Sequence, residues 1–399
     1  MTGVQTCALP IFHSAKKDFH KVELAVSLKS AEAHAQPQDQ GPTQHSSTAA
    51  GLAEAALDSQ AGGSGKKRPV GIRVAVLAGL LIALAIACVA SVMFGVRSIS
   101  VADAIAAIGG ATDTAEQAAA TARMPRTVMA LVVGAALALS GSTLQGITRN
   151  PLADPGIFGV LSGASLAVVT GIAFFGLTRP VPTMIAAMAG SLAAAIFVYF
   201  VGSLGRGGAT PLKLALSGAA TAAASSSLVS AILLPRADVM DQFRFWQIGS
   251  VGGAEWHALG LSLPFFGIGL LIVLGCAPGL NALALGDDVA TGLGIKVMTT
   301  RLVATIGAVI LCGTATALAG PIAFVGLIVP HLIRLVCGTD HRWLLPLTGL
   351  AGALLLTVAD TIGRVVTRPS ELAVGILVPL IGAPLFIWIV RNTKVRELA

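Results

Sequence analysis

Charge is scarce in this sequence. Only 11% of its 399 residues are Asp, Glu, Lys or Arg, against 55% hydrophobic, and the mean hydropathy is +0.83. A water-soluble chain of this length would have to expose much of that apolar surface, so the polypeptide reads as an integral membrane protein. Aromatics are few, at 5% with one tyrosine, which argues against cofactor cages and stacking platforms. The formal charge of +7 comes from basic residues set singly in short connections. That pattern lacks the basic stripe of a nucleic-acid binder. Five cysteines (Cys7, Cys88, Cys276, Cys312 and Cys337) stand apart with no C-x-x-C pair, leaving no disulfide framework and no metal site to read. There is no H-E-x-x-H and no pair of aspartates within an apolar run, so neither catalytic residues nor a cofactor are expected. The glycines up to Lys67 fall short of a phosphate loop, because position 60 is Gln and position 67 is Lys.

What the chain does have is a succession of long apolar runs. A spanning helix needs about 20 mostly apolar residues. The runs at about 74–95, 125–147, 157–177, 183–204, 212–234, 258–277, 301–319, 322–338, 345–363 and 373–391 predict an all-α protein of about ten transmembrane helices. Turn chemistry separates them, as at Asn150-Pro151, Asp154-Pro155-Gly156, Pro278-Gly279 and Gly320-Pro321. The 46 glycines, with abundant Ala and Ser, suit helices whose backbones approach closely. Residues 1–70 are polar and aperiodic, and read as a disordered cytoplasmic extension preceding a transmembrane domain of residues 71–399. Met1–Phe12 resembles a translated sequencing adapter. Most Lys and Arg fall on the side of the two termini, which places both in the cytoplasm. Arg97, Arg123, Arg126, Arg179, Arg236, Arg244, Arg364 and Arg368 remain on the other side and require a separate explanation. Gly134–Gly141 (GAALALSG) echoes Gly313–Gly320 (GTATALAG) five spans later. Five spans reverse direction through the bilayer, so the echo predicts an inverted five-helix repeat.

Several strings in order resemble the permease family of ABC importers for ferric siderophores, haem and cobalamin, the FecCD or BtuC-type permeases. They are Arg123-Met124-Pro125-Arg126, Asn150-Pro151-Leu152-Ala153-Asp154-Pro155-Gly156 and Leu283-Ala284-Leu285-Gly286. Further on come Ala319 through His331, Asp340-His341-Arg342, Pro369-Ser370-Glu371-Leu372 and Gly382 through Phe386. The resemblance implies a homodimer of such subunits, or a pairing with a paralogue, in the bacterial inner membrane. It also implies a cytoplasmic ABC ATPase dimer, an extracytoplasmic substrate-binding protein and a ferric siderophore as cargo. The chain has no Walker motif, as a permease subunit that is not itself an enzyme should not.

Three groups of residues then acquire candidate roles. The 278–300 connection carries Leu283, Gly286, Ala290 and Leu293 at helical spacing. By resemblance this loop, with Leu285, Asp288 and Gly294, couples to the ATPase; the other reading is a helix lying on lipid, which Asp287 and Asp288 disfavour. Arg123, Arg126 and Arg364 are expected at the outer mouth, where the resemblance implies that they receive acidic side chains of the binding protein; the other reading is that they reach lipid phosphates. The fifth span, with Ser217, Gly218, Thr221 and Ser225, is small and weakly polar, fit to line a pathway or to pack helices. His331, beside Pro330, reads as structural, and Asp360 as the i, i+4 partner of Arg364. A proton- or sodium-driven transporter would need ionisable groups in mid-span, which are nearly absent; a channel would need a selectivity filter, and none is evident.

Overall fold

The computed structural model describes residues 69–95, 99–204 and 210–392. The expectation of disorder for residues 1–70 therefore falls, up to residue 68, outside the described residues, as do Arg97, Arg206, Lys394 and Arg396. Among the described residues there are fourteen α-helices, one 3-10 turn (Pro155–Phe158) and no strand. In chain order the helices are α1 (Val70–Met93), α2 (Val101–Ile108), α3 (Ala115–Thr148), α4 (Val160–Phe175), α5 (Pro180–Ser203), α6 (Pro211–Leu233) and α7 (Ala237–Ile248). They continue with α8 (Trp256–Gly275), α9 (Ala277–Leu283), α10 (Asp287–Gly292), α11 (Val297–Ala319), α12 (Val325–Cys337), α13 (His341–Val366) and α14 (Val374–Asn392). Seven of them, α1, α3, α5, α6, α8, α11 and α13, are long and apolar enough to cross a membrane, and α4, α12 and α14 are shorter apolar helices. Together these are the ten runs expected from the sequence.

The differences lie at helix starts and in short helices. α3 begins ten residues before its apolar run because Thr114 and Gln117 form a capping box, each side chain serving the other's backbone N–H. The helix then continues through Pro125. α2 starts at Ser100, whose hydroxyl accepts from the Asp103 N–H. α7 is anchored by buried Val239 and Phe243, one turn apart, with Asp241 between them. Neither helix has enough apolar length to announce itself. The 278–300 connection holds two short helices, α9 and α10. They are broken at Gly286, whose φ of +112° is open to glycine but strained for other residues.

α3 and α11 form the centre of the bundle, with 83% and 72% of their apolar windows buried, against 17% for α6. Packing follows the inverted repeat. α3 lies on α13 as α11 lies on α5; α4 pairs with α5 as α12 pairs with α13; α4 meets α6 as α12 meets α14. The sequence echo sits at these crossings. Gly134 of α3 approaches Gly352 of α13 so closely that neither could carry a Cβ, and Gly313 of α11 faces Ser191 of α5. Dispersion contact between backbones replaces side-chain interdigitation there. A second close junction joins the ends of three helices. Ser250 donates its N–H to Ala319 (2.7 Å) and Gly375 donates to Gly249 (3.0 Å), while Gly375 abuts the carbonyl of Ile248.

Candidate functional site

Two clusters of polar side chains lie at opposite ends of the bundle, and α3 and α13 reach both. The first surrounds the 277–294 loop. Pro278 starts α9 in the first turn, where a missing N–H costs nothing. Leu280 and Leu283 bury themselves completely beneath it, and Ala290 does the same under α10. Leu285, Val289 and Leu293 are left exposed, at 62%, 49% and 62%. The expected stripe of Leu283, Gly286, Ala290 and Leu293 is thus divided. Leu283 and Ala290 hold the loop to its own subunit, Leu293 faces out, and Gly286 is the break between the helices. Asp288 and Gly294 are exposed beside Leu293.

Residues of three other helices fasten this loop. Arg149 ends α3 in the left-handed region at φ 51°, a conformation that costs a non-glycine residue about 1 kcal/mol. Its Nε donates to the Leu283 carbonyl at 2.6 Å and its Nη2 pairs with Asp287. Arg301 of α11 donates to the same Asp287 oxygen at 2.9 Å. At the other side of the loop the Asn281 amide donates to Asp340 Oδ1 at 2.7 Å, and its carbonyl accepts the backbone N–H of His341 at 2.8 Å. Arg73 of α1 reaches Asp340 Oδ2 at 3.4 Å. Burial pushes the Asp340 carboxyl up, but the Asn281 amide, the Arg342 N–H and the charges of Arg73 and Arg342 outweigh it and hold the group below its usual range.

The second cluster is buried. Arg126 of α3 donates Nε to both oxygens of Asp360 (3.1 and 3.0 Å), Nη2 to Asp360 Oδ1 (2.8 Å) and Nη1 to Glu371 (2.6 Å). Arg364 pairs with Asp360 through Nε at 3.0 Å, the i, i+4 contact expected from the sequence. Its remaining nitrogens serve the end of α1, donating to the Ser91 carbonyl (2.9 Å), the Ser91 hydroxyl (2.8 Å) and the Phe94 carbonyl (3.2 Å). Arg123 donates to the carbonyls of Val92 and Met93. The last carbonyls of a helix have no partner within it, and these two arginines supply one. That accounts for three of the arginines left unexplained by the charge rule. Arg126, Arg364 and Asp360 are 9%, 1% and 1% exposed, and Arg123 is half-buried. The docking candidates are therefore engaged inside the subunit, and Glu371, with 41% of its side chain exposed, is the cluster's open member.

On α6 the four pathway candidates share the packed side. Ser217, Gly218 and Ser225 are buried and Thr221 is half-buried. The Ser217 hydroxyl donates to Val198 of α5 (3.1 Å) and Leu214 (3.0 Å); Thr221 faces Gly159. The open side of the helix carries Ala219, Ala220, Ala223, Ala224 and Ser227 instead. His331 is buried with its ring edge toward Phe386, and its Nε2 meets no hydrogen-bond partner. Among the described residues no group of His, Cys, Asp and Glu could hold a metal ion. Sequence reasoning did not assign Asn281, Asp287, Asp340, Arg149, Arg301 or Glu371. Asp340 and Glu371 stand in the strings that carry the family resemblance, but their partners lie up to 267 positions away.

Ten apolar helices in two inverted sets, a braced loop with an outward apolar face, and a buried ion cluster at the far end define a multi-pass membrane permease. The chain belongs to the FecCD transport family, which it matches over residues 82–392. It is 44% identical over 322 residues to the ferric enterobactin transport system permease protein FepD of Escherichia coli (strain K12), covering 80% of this chain and 96% of that one. It is 41% identical over 281 residues to the hemin transport system permease protein HmuU of Yersinia pestis, 68% and 82% of the two chains. The cobalamin import system permease protein BtuC of Halobacterium salinarum is 39% identical over 294 residues, covering 72% and 77%. A solved inward-facing metal-chelate type ABC transporter superposes with a TM-score of 0.71 at 32% identity, over 80% of this chain and 99% of that one.

Proposed function

We propose that this chain is the permease subunit of a binding-protein-dependent ABC importer that carries ferric siderophores across the bacterial inner membrane. Two copies, or one copy and a paralogue, enclose a central pathway, and both termini face the cytoplasm. ATP is hydrolysed on a separate pair of ABC subunits. The observation that carries this reading is the 277–294 loop, with its inner side chains buried and Leu285, Val289 and Leu293 left outside. A rigid apolar knob of that kind fits a cleft that changes shape with nucleotide. The open small-residue face of α6 lines the passage, where a bulky cargo finds little to bind.

At the opposite end the binding protein sits over the arginine cluster. Arg126 keeps one guanidinium edge toward half-exposed Glu371, and a carboxylate of the incoming protein competes for that edge, with Arg123 and Arg364 holding the surrounding helices in place. ATP-driven closure of the ATPases moves the loop, the bundle opens to alternate sides, and cargo passes inward. Haem or cobalamin is the second reading, favoured by the 41% and 39% identity to permeases named for those cargoes.

Purification of the tagged chain from its native membrane in mild detergent tests the assembly. An ABC ATPase is expected with the wild type and absent from the Leu285→Asp, Leu293→Asp double variant. A chain that emerges alone, from detergent in which other ABC complexes survive, overturns the reading. Uptake of labelled iron as ferric enterobactin, with haem and cobalamin as competitors, assigns the cargo.

A further inference from the structure

We infer that Asn281 is the joint through which the loop drives the bundle, with α13 as the rod that carries its movement to the far end. This rests on the reading of the 277–294 loop as the ATPase-docking element. Besides the Arg149 hydrogen bond to the Leu283 carbonyl, the loop has two side-chain attachments, and they differ in kind. Asp287 is held by Arg149 and Arg301 through long charged side chains, and the Arg149 pair is half in solvent, at 44% exposure for Asp287 and 38% for Arg149 against 16% for Arg301. Pairs of that sort yield and rearrange at little cost. Asn281 instead grips the first residues of α13 with both ends of a short, planar amide. Its Nδ2 donates to Asp340 (2.7 Å), the residue that caps α13 by accepting the Arg342 N–H (3.1 Å). Its Oδ1 accepts from the His341 backbone (2.8 Å) and lies 2.9 Å from His341 Nδ1.

The amide orientation fixes the imidazole. Because Nδ2 must face the carboxylate, Oδ1 faces His341, and an oxygen that only accepts requires the proton on Nδ1. The bare nitrogen is then Nε2, which has no partner and rests where a Cβ on Gly146 of α3 would stand. One side chain of α9 therefore sets the backbone, the cap and the first side chain of α13, and through that side chain meets α3. From Asp340 to Asp360 a helix rises roughly 30 Å at 1.5 Å per residue. Along it α13 touches α3 backbone to backbone at Gly352, and near its end it holds Asp360 and Arg364 in the buried cluster. A displacement of α9 is thus delivered to α13 at one end and arrives at Arg126 and Glu371 at the other.

Asn281 is a positioning residue, so its test must separate driving from docking. The permease is reconstituted in proteoliposomes with its co-purifying ATPase and its binding protein, with ferric enterobactin as the probe. ATP hydrolysed and iron imported are measured together. In Asn281→Ala the ATPase remains bound and turns over, while ATP consumed per iron imported rises roughly five-fold or more, the lower range of a typical coupling effect. Should Asn281→Ala not fold, Asn281→Asp serves: it keeps the acceptor for His341, removes the donation to Asp340 and sets a second carboxylate against that residue, so it should uncouple at least as strongly. Asp340→Asn retains an oxygen for both Asn281 and Arg342 and is expected to stay coupled, whereas Asp340→Ala behaves like Asn281→Ala. A coupling ratio unchanged in both Asn281 variants overturns the joint. So does uncoupling by Asp340→Asn equal to that of Asp340→Ala, which would assign the effect to the Arg73 ion pair. A wild-type chain that recovers no ATPase overturns the docking reading, and the joint with it.

Discussion

The two ends of the bundle use the same chemistry, guanidinium against carboxylate, to opposite effect. Around Asp360 the charges are buried: two arginines converge on one carboxylate, and every remaining donor of Arg364 that has a partner in this cluster is turned onto α1 or its own helix. Around Asp287 two arginines also converge on one carboxylate, yet the group is 44% exposed, with Arg149 at 38% and Arg301 at 16%. Removal of one member from a buried cluster strands the other charges in a medium that does not solvate them. Removal of one from a solvated cluster leaves water in its place. One end is thereby fixed and the other able to move, which is what a loop driven from outside requires.

Asp360→Ala should break that contrast most severely. Arg364 loses its counter-charge and Arg126 keeps only Glu371, and a loss of about 3–5 kcal/mol is expected, read as a lowered unfolding midpoint in detergent and a low yield. Gly352→Val comes next. It inserts methyls where α13 touches the α3 backbone, at a cost on the order of 1–3 kcal/mol, and thermal unfolding should report it while ATPase recovery persists. Asp287→Ala, the counterpart of the first change, should alter stability by no more than about 1 kcal/mol, and an equal effect from the two aspartates would erase the distinction between the ends. The smallest effect is that of pH at Asp340. Its folded carboxyl lies below the ordinary value of 3.8, so its contribution is complete above that pH and disappears as pH falls through the lowered value. Asp340→Asn should flatten the acid side of the stability profile, checked by unfolding midpoints across an acid series.

The ten spans were legible because an apolar run long enough to cross lipid leaves a signal in any window of the sequence. α2 and α7 left none, since eight or twelve residues fold there by resting on neighbours and by caps. The loop could be located from its length, but its outward face could not be assigned. Leu283 and Leu285 are chemically alike, and only the break at Gly286 and the packing beneath α9 decide that one is buried and the other exposed. The arginines show the same limit more sharply. Arg126 and Arg364 look like mouth residues from their position at span ends, and their partners, Asp360, Glu371 and the carbonyls of α1, come together only when helices distant in sequence assemble. On α6, Ser217 and Ser225 lie on the packed side for a comparable reason, because small polar residues serve packing and passage equally well in composition.

The junction of Ser250, Ala319, Gly249 and Gly375 bears on how the protein is made. Two backbone hydrogen bonds tie the end of α7 to the end of α11 and the start of α14, and no side chain takes part in either. During synthesis the chain emerges N-terminus first, so the ends of α7 and α11 wait for a residue some fifty-five positions beyond Gly320. Until Gly375 has emerged only the Ser250–Ala319 bond can be made, and it is the start of α14 that completes the fastening.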